Sequence, residues 1–526
     1  MKTKNILPIV ALAAALVSTG CSQERLDIEQ KGVSTTAEYA RADDDGVKQF
    51  VAALYSFVRG DVINQVMGEA IGTFATVNWT LGRMAGETAD YFSYTDDTDA
   101  STYSQPWAYY YRLAYWSNMI ITNLPENTVA SAAVKTQAIA EARTIRAIAM
   151  MNLVQLYGNP PLADHILDGS EGCTPAAESW EFIESELNAA ASDLPTKSGV
   201  DGQASIGGRL TREAAYAYLG KALLWQGKWD DAAAALDKVI SSDKYALVSD
   251  FALLNSSASD FSSENIWEFD FCDDLAYSDS QEGRWDIAAF SPNIPGFTSK
   301  YASYSMGFSW GSCPTTDFVN FMKAHDGLSA RYQETLLDMK TAADAYGAQI
   351  TYPYTECEGY LKVKGLTLAE DLVAAFPYAN SKKNVVYMRY AEVLLNYAEA
   401  VAQGGAAGSI SGLEALNLVR RRAGLSNASS LSMDDASYGV KAERRAELFG
   451  EGARFIDLVR WGDAGTVLSK TGTQTPVCLG VNADGSYNIT WSATGGNGFK
   501  TGKNELFPYP MSDASRNSGL VQNIGW

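Results

Sequence analysis

Apolar residues recur at three- and four-residue intervals over long parts of this chain, as in helices that bury one face. The first such stripe runs from Tyr39 to Val58, with Phe50, Leu54 and Phe57 inward. A second covers Trp107 to Leu124, with Tyr111, Tyr115 and Met119 in phase and Pro125 closing it. Rings within a helical stripe bury a large apolar area, so Trp107, Tyr111 and Trp116 are assigned to the core. A third stripe, Ser131 to Leu156, uses Ile139, Ala142, Ile145, Ala149, Leu153 and Leu156. Gly158-Asn159-Pro160-Pro161 stops it, since neither Gly nor Pro continues a helix readily. Glu178 to Leu194 supplies a fourth.

Residues 210–241 carry a repeat. Tyr216, Leu219, Gly220, Leu223, Gly227, Trp229, Ala232 and Leu236 stand at the spacings of a tetratricopeptide helix pair. Gly220 and Ala232 allow close helix packing, and Gly227 sits in the turn. Residues 387–424 predict a second pair, Tyr390 to Ala402 and Leu413 to Arg422, around the Gly-rich stretch 404–412. Such pairs cannot bury their faces alone and stack into a right-handed solenoid. The pairs are far apart in sequence, so insertions must interrupt the stack.

The interruptions are visible. Residues 61–104, 245–386 and 463–500 are rich in Gly, Ser, Thr, Asp and Asn, with poor periodicity. Ile266 to Phe271 reads as a short strand. Long irregular segments inside a compact domain are commonly functional. Two of these segments also carry many rings, including Trp79, Tyr91, Tyr94, Tyr103, Trp285, Tyr304 and Trp310.

The first 20 residues form a leader rather than part of the fold. Lys2 and Lys4 precede an apolar run, Ile6 to Val17, too short to cross a bilayer. Ser18-Thr19-Gly20-Cys21 resembles a bacterial lipobox, which makes Cys21 the expected lipid anchor. Polar residues 22–36 then act as a tether, and 37–526 form one domain. A net charge of −21 repels phosphate backbones and excludes nucleic acid as a partner. The cysteines after Cys21 (173, 272, 313, 357 and 478) have neither zinc-site spacing nor a paired framework. Cys272 and Cys313 are the one pairing considered.

The densest stretch is Glu443 to Gly462. Glu443 and Glu447 lie one helical turn apart. Gly450 and Gly452 then break the helix, and a second begins at Ala453. The charged residues among its aromatics predict a partly buried ion-pair network, which fixes geometry more than it stabilises. Glu443, Arg444, Glu447, Leu448, Glu451, Gly452, Arg454, Asp457, Leu458, Arg460, Trp461 and Gly462 match a known pattern. It resembles the C-terminal signature of the SusD/RagB family of surface nutrient-binding lipoproteins. Three further stretches resemble family motifs: Glu141 to Leu162, the Pro314-Phe318-Arg331 helix entry, and the closing Gln522-Asn523-Ile524-Gly525-Trp526. The resemblance implies a mainly α fold of four tetratricopeptide-like units, about 37–60, 105–245 and 387–462, with a loop-rich subdomain on one face.

The resemblance also implies a function. It points to an outer-membrane, cell-surface lipoprotein that captures an oligosaccharide and delivers it to a SusC-like TonB-dependent transporter. The helix pairs are expected to face that transporter. Peptide receptors of the same family are the alternative. The residues agree in offering no catalytic set. His165 and His325 are the only histidines, each read as a surface or capping residue. No nucleotide-binding or nucleophile-elbow motif occurs. Acidic clusters at 43–45 and 96–99 read as solvated loops or caps rather than a metal site. No cofactor is expected. The seven loop aromatics are the candidate ligand contacts, since sugars stack their C–H faces on rings.

Overall fold

A computed structural model describes residues 36–59, 84–89, 94–198, 208–270, 296–302, 313–366, 368–374 and 380–526. The expected leader, Cys21, the tether and Cys272 lie outside these residues. Helices dominate: α1 Asp44–Arg59, α2 Ser101–Asn123, α3 Ala132–Tyr157, α4 Ala176–Asp193, α5 Arg212–Trp225 and α6 Trp229–Ile240. α7 Thr316–Asp326 lies within the insertion, and after it come α8 Tyr390–Ala402, α9 Gly412–Arg422, α10 Val440–Glu447 and α11 Ala453–Trp461. The sequence stops and starts are physical ones. Ser131 caps α3 by accepting from the Val134 amide, and Gly158 ends it at φ +79°.

Each helix packs on the next from α2 to α6. α8 then docks against α5 and α6, and α9 against α8, so the stack continues across about 150 intervening residues. Only a three-residue turn joins α5 to α6, with Gly227 at φ +70°. Neighbours linked so tightly must run antiparallel. Gly220 is the contact point: a Cβ there would lie 2.4 Å from Leu236 Cγ. Trp107 is buried, and Tyr111 and Trp116 pack half-buried against the same core.

Short strands hold the insertion to the stack. β1 Asn265–Phe269 pairs antiparallel with β4 Val385–Arg389, and β2 Leu336–Asp338 with β3 Tyr360–Lys362. Residues 463–500, expected to be irregular, instead contain a hairpin, β5 Gln474–Val481 with β6 Tyr487–Ala493. Its turn includes Asp484-Gly485, with Gly485 at φ +86°. Pro476 and Cys478 face inward while Tyr354-Thr355 adds a third strand.

The Glu443–Trp461 signature lies at the centre of a buried ion-pair network. Arg331, fully buried, donates to Asp326 (2.8 Å), Glu443 (2.6 Å) and Glu447 (3.0 Å). Glu447 also receives Arg389 (2.9 Å) and Arg422, and both arginines reach Glu264 at 2.7 Å. Arg420 bonds Glu443, while Glu451 takes Arg389 and Lys364. Beside this set, Arg444 grips Asp457 at 2.9 Å through two nitrogens, and Arg460 and Trp461 close on Glu399. Gly452, at φ +77°, caps α11, and Arg454 lies 3.4 Å from Glu87. Removing one member of such a set leaves an uncompensated buried charge, which costs about 3–5 kcal/mol.

His325 is a correction to the sequence reading. Its ring is buried within this network, with Nδ1 2.6 Å from Asp326 and Nε2 3.5 Å from Glu443. The carboxylates collected around Arg331 draw the end of α7 inward. His165 is exposed, as expected.

Two tests follow from this packing. Gly220→Ala pushes α5 off Leu236 and lowers stability by about 1–3 kcal/mol, the usual cost of overpacking. A urea midpoint equal to wild type would show that the pair shifts freely. The second test is acid sensitivity. Burial opposes ionisation of Glu447, but Arg422, Arg389, Arg331 and Lys364 outweigh it and lower its pKa from 4.5 to about 2. A depressed folded pKa contributes stability above pH 4.5 that disappears as pH falls towards 2. Urea midpoints should therefore drop steeply between pH 4.5 and 2. Glu447→Gln, already destabilised at pH 7, should show a shallower drop.

Candidate functional site

A cleft of about 300 Å³ opens between the helical stack and the inserted strands. That is the low end of the range for small-molecule sites. α2 contributes Tyr109, Tyr110 and Leu113; α3 contributes Ile148, Asn152 and Gln155; α5 contributes Tyr218 and Lys221. Trp267 from β1 and Tyr387 from β4 complete an aromatic wall, with Asn384 beside them. The floor is the signature turn, Gly450 to Ala453, with Arg389 and Asp457 beneath.

Local rules place each ring. The last carbonyls of a helix lack intrahelical partners. The Val58 carbonyl, at the end of α1, accepts from both Tyr109 Oη and Tyr387 Oη, the latter at 3.2 Å. Capping α1 thus draws two tyrosines from distant segments onto one wall. Strand pairing of β1 with β4 then brings the Trp267 ring within 4.7 Å of Tyr387. Tyr218 meets Trp267 edge-on at 6.1 Å. Burial raises the phenols of Tyr109, Tyr110 and Tyr218 well above 10, so they remain neutral.

Five of the seven sequence-predicted ring contacts lie outside the described residues: Trp79, Tyr91, Trp285, Tyr304 and Trp310.

The other two are corrected by the structure. Tyr94 and Tyr103 are each only 1% exposed. Tyr94 donates to the Met84 carbonyl at 2.8 Å and meets Phe499 edge-on. Tyr103 sits on the first turn of α2, in phase with Trp107 and Tyr110, and packs edge-on at 5.1 Å against both Phe507 and Trp526. Both rings are core, clamped by the C-terminal segment, with no face left for a ligand. Conversely, sequence reasoning missed Trp267, Tyr387 and Asn384. Trp267 falls in the strand expected from Ile266 to Phe271, and that was its only signal.

Residues 355–526 match the family model described as SusD family. A SusD-like protein of Formosa agariphila is 27% identical over 84% of this chain and 83% of its own length. Another from Bacteroides ovatus is 23% identical over 86% of this chain and 82% of its own. The chain is thus similar to SusD-like proteins over most of its length, and its C-terminal third matches the family model. Solved structures share the SusD fold over nearly the whole chain. A laminarin-binding SusD-like protein superposes with a TM-score of 0.71 at 24% identity, covering 92% of this chain and 100% of that one. Surface glycan-binding protein A from Bacteroides thetaiotaomicron, in complex with laminarihexaose, gives 0.67 at 20% identity, covering 92% and 100%.

Tyr94→Phe should lower stability by about 1 kcal/mol, the worth of one buried hydrogen bond, and Tyr103→Phe by less, because its hydroxyl reaches the Thr95 carbonyl only at 3.4 Å. Neither should change affinity for any ligand found. A loss of affinity beyond the loss of folded protein would return these rings to the site.

Proposed function

We propose that this SusD-like protein is a non-enzymatic glycan-capture lipoprotein of the outer cell surface. It binds an oligosaccharide and hands it to a SusC-like TonB-dependent transporter. One observation carries the reading: the fold matches solved glycan binders over 92% of the chain, including one holding laminarihexaose. The cleft supports it, because an aromatic wall with amide side chains suits a ligand with apolar C–H faces and many hydroxyls. Trp79, Tyr91, Trp285, Tyr304 and Trp310 are the rings proposed to stack on the sugar.

The proposed mechanism is capture and delivery. Cys21 carries the lipid that anchors the protein, since stable anchoring takes more than one acyl chain and a mature lipoprotein has several. Residues 22–36 let the body swing between an open and a docked position on the transporter. Binding chemistry consists of ring stacking and hydrogen bonding, with no bond made or broken.

The test is calorimetric titration of residues 22–526 with a panel of plant, host and microbial oligosaccharides. The expected result is saturable binding to at least one. Trp285→Ala or Trp310→Ala should weaken it about tenfold, as loss of a stacked ring worth roughly 1 kcal/mol or more implies. The exposed His165→Ala serves as the control. Saturable binding of peptides with no response to any glycan would overturn the reading.

A further inference from the structure

The charges and the open hydrogen-bonding positions of the cleft point in the same direction. Among the described residues, every cation lining it is already engaged. Lys221 Nζ lies 2.8 Å from Glu392, and Lys364 bonds Glu451 and the Glu447 carbonyl. Arg389 is shared by Glu264, Glu447 and Glu451, and Arg444 holds Asp457. Lys362 and Lys383 have partners as well. The lining carboxylates Glu392, Glu451 and Asp457 are the other halves of these pairs.

The buried lining atoms without a hydrogen-bond partner differ in kind. They are Trp267 Nε1, Asn265 Oδ1 and Thr88 Oγ1, a neutral donor, a neutral acceptor and a hydroxyl. Glu392 Oε1 also makes no hydrogen bond, but it faces Lys221. Buried polar groups are normally satisfied, so three unpartnered atoms on residues that line one cleft are candidates for a ligand's hydrogen bonds. A sugar hydroxyl both donates and accepts and suits all three. A carboxylate or sulfate only accepts. Its desolvation would have to be repaid by a cation, and Lys221, Lys364, Arg389 and Arg444 could respond only by leaving the carboxylates that they already pair with.

We propose that the cleft takes an uncharged oligosaccharide and rejects glycans bearing uronate or sulfate groups. This rests on the glycan-capture reading above. Trp267 Nε1, Asn265 Oδ1 and Thr88 Oγ1 supply the hydroxyl contacts that set the preference.

The experiment titrates residues 22–526 calorimetrically with neutral gluco-, manno- and xylohexaose, oligogalacturonate and a sulfated galactan oligosaccharide. It is run at 20 mM and 200 mM salt. One neutral oligosaccharide should bind at least tenfold more tightly than either anionic one, with little change between the two salts. Trp267→Phe, which keeps a ring but removes the N–H, should weaken that neutral ligand several-fold while circular dichroism stays unchanged. Tighter, salt-sensitive binding of a uronate or sulfate oligosaccharide overturns the inference and leaves glycan capture standing. Unchanged affinity in folded Trp267→Phe overturns the assignment to this cleft. No binding of any glycan removes both.

Discussion

Charges taken out of water must be matched where they lie, and that constraint organises the C-terminal half of this protein. Glu264, Asp326, Glu443, Glu447 and Glu451 are met by Arg331, Arg389, Arg420, Arg422 and Lys364. These ten residues come from the start of β1 to just beyond α10. Apart from the local Asp326–Arg331 pair, these contacts join the insertion, the second helix pair and the signature turn to one another. Hydrophobic contact alone would tolerate sliding between these parts. Bidentate guanidinium–carboxylate geometry does not, because a shift of about an ångström leaves a buried charge unmatched. The network therefore acts as a register lock between the helical stack and the inserted strands.

The cleft is a by-product of that lock. Arg389 ends β4, lies under the cleft floor and bonds the signature turn through Glu451. The same strand carries Tyr387, which caps α1 and faces Trp267. Fixing Arg389 thus fixes the aromatic wall two residues away. The site's geometry follows from the stability network without needing separate supports, and its cations are spent on structure. Among the described lining residues, the unpartnered buried atoms outside these ion pairs are neutral.

The helical stack was largely legible in the chain. Stripes at 3.6-residue spacing are locally encoded, and caps such as Ser131 and breaks such as Gly158, Gly450 and Gly452 are single-residue choices with local causes. The hairpin at 474–493 was missed because its inward face is Pro476 and Cys478, a weak alternation in a Gly- and Thr-rich stretch. The burial of Tyr94 and Tyr103 was missed for another reason. An aromatic in a polar segment reads as a surface ring, and only Phe499, Phe507 and Trp526, some 400 residues later, cover these two. His325 was misread likewise, since its partner Glu443 is 118 positions away, as the numbering shows.

By itself the sequence determined which segments are helical, where they start and stop, that a buried Arg–Glu network exists, and the family to which its signature points. These follow from local spacing and from motifs read within a few tens of residues. Only the tertiary structure decided which rings face a cleft, which are core, and which cations are already committed. Those properties depend on pairings such as Trp267 with Tyr387 and Arg331 with Glu443, separated by more than a hundred residues. Burial and charge compensation are sums over every neighbour, and the chain's order does not list its neighbours.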